Sequence, residues 1–384
     1  MAVVNRVPMA TPLVWARVMR TQAALVYLDL NHFIYLARVR AGDDSVPSGY
    51  PALLDAAMSA RRDRRAIFPL SSEHLWEMGG IKDPTQRRNL ADVMEELSGF
   101  HYLLGRPEIA QLEIEAGIEE IYGETSPLPP VPLVRPTFGW AFGMRGGVTI
   151  RDGNGKDASR TARDAMGVEK YDQFMRIANY TIERHMLEGP SDEELLTLRE
   201  QYGYAPEVAR EGHRSRLSFE LELSERLREN PRWRRGRLRD VVSAREIIHE
   251  WLDAINRVNE DRDRGRRPVL AFSDNDRVRQ FMAAMPHTQV AISIKTRYHR
   301  DPGHRWTTND ITDIDAVSVA YAYCDAVFTD KAIRAALANS KELRAIATFL
   351  PRTPTELAGW LGQQPILAVP DLLVPHPAPN PRAS

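Results

Sequence analysis

Five acids carry the chemistry this chain can be built around: Asp29, Glu77, Asp310, Asp313 and Asp330. Asp310 and Asp313 stand three residues apart at the head of TTNDITDIDAVSVAYAY, a segment with helical patterning, so both lie on one face of its first turn. Asp330 follows a compact apolar run, Ala326-Val327-Phe328, that reads as a strand. Asp29 interrupts an earlier apolar run, LVYLDL, near its end, and Glu77 lies one to two turns into the helix that follows AIFPLSS. In an open α/β sheet, chemistry collects where strands end and helices begin. Carboxylates that converge there can hold divalent cations. Each acid also has an ordinary structural role. Asp310 and Asp313 complement a helix dipole, Asp29 and Asp330 cap the next helix, and Glu77 is a solvated helix residue. Their joint placement, rather than any one of them, points to chemistry.

The elements that would position them are legible as punctuated patterns. Strands are expected at residues 25–30, 66–70, 268–273, 289–294, 326–328 and 345–350, with helices between them. Residues 126–136, SPLPPVPLVRP, hold five prolines and are expected to be extended. Strands thus sit toward both ends, around a long helical stretch. The economical fold is α/β: a small parallel-sheet domain from residues 23–100 and 266–365, interrupted by a mainly α-helical insertion at 101–265. A 22-residue extension would precede it, and a flexible proline-rich tail, 366–384, would follow.

Composition sets the surroundings. The chain has 384 residues, 43% hydrophobic and 27% charged, with a net charge of -1, so any polyanion site must be a local patch. The single cysteine, Cys324, excludes an intrachain disulfide framework and reads as a small buried hydrophobe. No run is long and apolar enough to span a bilayer, and no signal peptide is evident, so a cytoplasmic protein without membrane contact is expected.

The acids in this order resemble the PIN-like domain nucleases. Asp29-Leu30-Asn31 matches that family's Asp-x-Asn at the first strand, Ser71 and Glu77 match its serine followed about six residues later by glutamate, and Asp313 with Thr329-Asp330 matches its closing acids. The resemblance covers about the first 100 and last 120 residues, so this would be a large divergent member with a helical insertion. It implies a three-layer Rossmann-like sheet and a metal-dependent endoribonuclease, with Mg2+ or Mn2+ held by Asp29, Glu77, Asp313 and Asp330. Asp310 would join them in catalysis, and Asn31, Ser71 and Thr329 would support them. Phosphodiester hydrolysis builds negative charge on the phosphoryl oxygens, which divalent cations stabilise. RNA, single-stranded or structured as in tRNA, is the expected partner over DNA. The insertion would mediate homo-oligomer or partner-protein contacts.

Three basic stretches can meet a phosphate backbone: residues 228–239 with Trp233, residues 262–267, and residues 295–305. The third is expected to be a loop leading into the acidic helix, with Lys295, Arg297, His299, Arg300 and Arg305 contacting nucleic acid. The first two are expected to be solvated charge. Asp315, about 200° around the helix from Asp313, is expected to be solvated and outside the site. Alternatives are a catalytically inactive PIN-like scaffold that binds RNA or protein, a DNA-directed nuclease, and a phosphotransferase using Asp274.

Overall fold

A computed structural model describes residues 13–124, 128–144, 148–202, 205–271, 275–367 and 374–375. The chain enters through β1 (Val18–Arg20) and continues into β2 (Ala24–Leu28), whose five residues, ALVYL, are all buried, as a strand covered on both faces requires. On one side, β3 (Ala66–Ile67) pairs with β2 in parallel, with Ala24 opposite Ala66. Beyond it, Leu70 bridges in parallel to Tyr102 of β4 (His101–Leu103). β5 (Val131–Pro132) pairs with β1, and β6 (Val134–Pro136) runs antiparallel to β4. On the other side of β2, β7 (Ala326–Phe328) pairs in parallel with Leu28 opposite Phe328, and Phe349 bridges in parallel to Ala326. Across the sheet the order is therefore β4, β3, β2, β7, Phe349. The protein is mixed α/β, mostly helical, with a few short parallel strands.

α1 (Leu30–Arg40) and α2 (Tyr50–Arg62) link β2 to β3, and α3 (Ser72–Met78) and α4 (Pro84–Ser98) link β3 to β4. Gly99, at φ 56°, ends α4 in the left-handed region and turns the chain toward β4. α5 (Arg106–Tyr122) follows. After β6 come α6 (Ser159–Met166), α7 (Val168–Glu188), α8 (Asp192–Tyr202), α9 (Pro206–Glu229), α10 (Pro231–Arg234) and α11 (Leu238–Glu246). A π-helical turn, Ile247–Trp251, joins α11 to α12 (Leu252–Arg264), and α13 (Asn275–Ala284) follows. α14 (Pro286–Arg300) and α15 (Thr308–Tyr323) return to the sheet ahead of β7, and α16 (Lys331–Ala338) and α17 (Pro354–Gln363) come after it. One hydrophobic core surrounds the sheet. A second, holding Ile114, Leu223, Trp251, Phe281 and Ile292, lies among α5, α9, the π turn, α13 and α14.

Several sequence expectations give way. Residues 289–294 are helix, not strand: they lie within α14, where residues 286–296 are all buried. A short apolar run fits a buried helix as well as a buried strand, and Pro286 at the helix start decides for helix. Residues 268–271 form no strand, because the Asn259 side chain takes both backbone groups of Leu270, at 2.8 and 3.0 Å. Residues 272–274, including Asp274, lie outside the described residues. The strand expected at 345–350 shrinks to the Phe349 bridge. The expected insertion boundary at 101 cuts β4 from the sheet it joins. The expected extension contributes buried Ala16 and Val18 to the core, and β1 pairs with β8 (Val374–Pro375) of the expected flexible tail. Among the described residues no helix is long and apolar enough to cross a membrane.

Candidate carboxylate site

From β2 the chain moves through β3 toward β4, and from β7 it moves the other way, toward Phe349. The connections diverge between β2 and β7, which opens a crevice at the carboxyl ends of these two strands. Asp29 and Asp330 stand there. Asp29 caps α1: its Oδ1 accepts from the Asn31 backbone N–H at 3.1 Å, and its Oδ2 accepts from the Thr329 hydroxyl at 3.3 Å. The Asp29 N–H donates to Phe328 O at 3.0 Å and stitches the two strand ends together. Asp330 caps α16, accepting from the backbone N–H groups of Ala332 and Ile333. Asp310 closes a capping box with Thr307, whose N–H and hydroxyl donate to Asp310 Oδ2 at 2.6 and 2.8 Å. Asp313 follows one turn later on α15, and Glu77 comes from α3.

Asp313 and Glu77 differ from the other three. Both are half-buried, and among the described residues neither side chain has a hydrogen bond or ion pair. Burial, then the charges of Asp29, Asp330 and Asp310, push the Asp313 carboxyl up to about 7. Burial, then Asp29, Asp313 and Glu73, push Glu77 up to about 8. Burial also raises Asp29, with Asp330 adding to it against the bonds from Asn31 and Thr329. The acids therefore lie within one another's electrostatic reach. Among the described residues, however, no three His, Cys, Asp or Glu side chains are gathered as a metal-binding group.

A pH dependence follows from the rises at Asp313 and Glu77. An acid whose folded pKa lies above its unfolded value contributes stability that is complete below the unfolded pKa and lost as pH climbs through the folded one. For Asp313 and Glu77 that window runs from about pH 4 to about 8. Discounted for coupling and partial exposure, the loss is expected to be about 2–4 kcal/mol. Urea unfolding of wild type and of Glu77→Gln/Asp313→Asn across this range checks it. A wild-type slope no steeper than the variant's sinks the electrostatic coupling.

The supporting residues divide. The Thr329 hydroxyl donates to Asp29 Oδ2. Asn31 contributes only its backbone, its side chain being exposed. Ser71 caps α3 reciprocally with His74 instead of touching Glu77. His74 is fastened to Leu28 O at 2.8 Å, and His32 bonds Tyr50 at 2.7 Å while stacking on Phe328. Glu73, one turn before Glu77, joins the acids without having been singled out by the sequence. It is half-buried and raised by burial, then by Asp315, and its four-residue spacing from Glu77 was the available signal.

The basic stretch is corrected more sharply. Arg297, Arg300 and Arg305 are exposed, but Lys295 and His299 are buried on α14, away from any polyanion. The Lys295 ammonium contacts Glu246 at 2.7 Å and Glu220 at 2.9 Å, and His299 Nε2 contacts Glu220 at 2.7 Å. Burial opposes the Lys295 charge, but Glu220, Glu246 and Glu250 overcome it and hold the ammonium well above its ordinary value. Asp315 is equally far from its expected solvated place. It is 5% exposed and paired with Arg216 and with Arg106 at 3.3 Å. Both arginines also reach Glu250. Helix α15 thus turns Asp310 and Asp313 toward the crevice and Asp315 toward a buried ionic cluster that fixes it to α5 and α9.

No protein-family model matches this chain, and neither the curated proteins nor the solved structures contain a match to it.

Proposed function

We propose that this chain is a metal-dependent nuclease of the PIN-like class, cutting RNA in preference to DNA. The observation that carries the proposal is a pair of half-buried acids, Asp313 and Glu77, without a hydrogen bond or ion pair among the described residues and raised by burial and then by Asp29, at the divergence point of a parallel sheet. The parallel order β4, β3, β2, β7, Phe349 suits that class. The donor set is all carboxylate, the choice of hard cations such as Mg2+ and Mn2+. Asp29, Glu77, Asp313 and Asp330 would hold the metal. When bound, it would neutralise charge on the scissile phosphate and activate a water. Thr329 orients Asp29, and the capping bonds fix Asp29 and Asp330. Exposed Arg297, Arg300 and Arg305 would steer the phosphate backbone toward the acids.

A second reading, an inactive scaffold, has its own support. Asp29, Asp310 and Asp330 all serve helix N-termini, and no three acids form a metal-binding group among the described residues. Incubation of labelled single-stranded RNA, single-stranded DNA and a folded tRNA with wild type in Mn2+, Mg2+ and EDTA separates the two. Cutting that EDTA abolishes, on RNA before DNA, supports the nuclease. Intact substrates in all three, with folded protein, leave the scaffold.

A further inference from the structure

Between α9 and α11 the chain makes a tight basic turn, NPRWRRGRL, at residues 230–238. Pro231 starts the four-residue α10, and Arg237 N–H donates to Trp233 O at 3.3 Å to close the turn. Arg232, Arg235 and Arg237 are exposed, and Trp233 is 38% exposed. Arg234 is half-buried, and its Nε has no hydrogen-bond partner. The arginines flanking the turn are each held by a glutamate: Arg226 and Arg245 by Glu222, Arg228 by Glu225, and Arg239 by Glu342. None of Arg232, Arg234, Arg235 or Arg237 has an ion pair among the described residues. Four guanidinium groups without an ion pair among the described residues, and one exposed indole, are therefore concentrated within six residues, in a chain whose net charge is only -1.

Just past the turn, Arg239 fastens the chain to α14. Arg239 Nη1 donates to Ser293 on α14 at 2.9 Å, and Arg239 bonds Gln289 one turn away. Arg300 is on the same stripe of α14, about 20° from Gln289 around the helix axis. Arg297 and Arg300 are exposed at the C-terminal end of α14, beyond which Arg305 leads into the acid-bearing α15.

We infer that the turn at residues 230–238 is an anchoring surface for a single-stranded polynucleotide, with its arginines on phosphates and Trp233 stacked on an unpaired base. Guanidinium groups free of internal partners are available for phosphate, and an indole face accepts any unstacked base. An anionic membrane is the less suited polyanion, because membrane-surface helices present a long apolar face and α10 offers one indole on a single turn. The inference goes beyond the proposed cleavage chemistry and is read without it, by binding in EDTA.

The test is fluorescence anisotropy of labelled single-stranded RNA and DNA of about 20 nucleotides, titrated with the full chain in EDTA over a range of salt. Arg232→Ser/Arg235→Ser/Arg237→Ser is expected to lower the slope of log affinity against log salt by about 2. Trp233→Ala is expected to weaken binding about tenfold. Arg232→Lys/Arg235→Lys/Arg237→Lys should keep the wild-type slope. Wild-type slope and affinity in the triple serine variant overturn the inference. So does a wild type that binds phosphatidylserine vesicles but neither polynucleotide, or binds nothing. Turn-dependent binding without metal-dependent cutting sustains this surface and removes the nuclease, whereas cutting with turn-independent binding does the reverse.

Discussion

Asp29→Asn/Asp313→Asn is expected to lose cleavage by about a thousandfold or more while melting higher than wild type at pH 8. The two effects share one cause. At the carboxyl ends of β2 and β7, negative charge is concentrated in a half-buried crevice, and Asp313 is raised to about 7 by burial and by its acidic neighbours. Asparagine keeps the shape and removes the charge. The fold then loses a repulsion, worth about 3–6 °C in melting temperature at this chain length, and the site loses the anionic oxygens that would hold a cation. Stability and activity should therefore move in opposite directions in the same variant. At pH 4.5, where Asp313 and Glu77 are protonated in the wild type, the stability gain should disappear. Scanning calorimetry and gel-based cleavage on the same preparations check both halves. A variant that cuts like wild type sinks the assignment of these acids, and one that melts lower at pH 8 sinks the account of the repulsion.

Lys295→Met is expected to lose about 3–5 kcal/mol of stability, the cost of breaking a buried ion pair from one side. Lys295 is 2% exposed and lies at the meeting point of Glu220, Glu246 and Glu250. Its removal leaves three buried acids with one fewer cation. Glu220, now held down to about 2 by Lys295 and His299 against its burial, and Glu250, held well below its ordinary value by Arg216, Lys295 and Arg106 against its burial, would then have to take up protons or admit water. Asp315→Asn acts on the other side of the same cluster, leaving Arg106 and Arg216 short of an anion and loosening the hold of α5 and α9 on α15. It should cost stability and displace Asp313 with it. Lys295→Met unfolding at the wild-type urea midpoint would show that the cluster is solvated rather than buried. The double variant Lys295→Met/Glu246→Met, which removes a charge of each sign, should recover part of the loss.

The placement of Asp29, Asp310 and Asp330 at element ends was legible in the chain. Asp29 and Asp330 lie at strand ends because a buried apolar run must stop where the first polar residue meets the helix that follows, and Thr307 with Asp310 is a capping box visible at three-residue spacing. Three strands, β2, β3 and β7, follow from the same punctuation, whereas their order and the divergence of their connections come from the pairing. What one-dimensional patterning could not decide was which charges face solvent. Lys295 and His299 sit in a run of basic residues that looks like a surface loop, and Asp315 looks like a solvated helix residue. Each is buried because an opposite charge arrives from more than 40 residues away in sequence, at Glu220, Glu246, Arg106 and Arg216. Residues 289–294 became helix for a related reason: an apolar segment packed from every side can satisfy its backbone internally and needs no neighbouring strand. Sequence alone determined where acids meet element ends. Tertiary structure decided which charges compensate one another, because the cost of burying a charge is set by partners that only folding brings within reach.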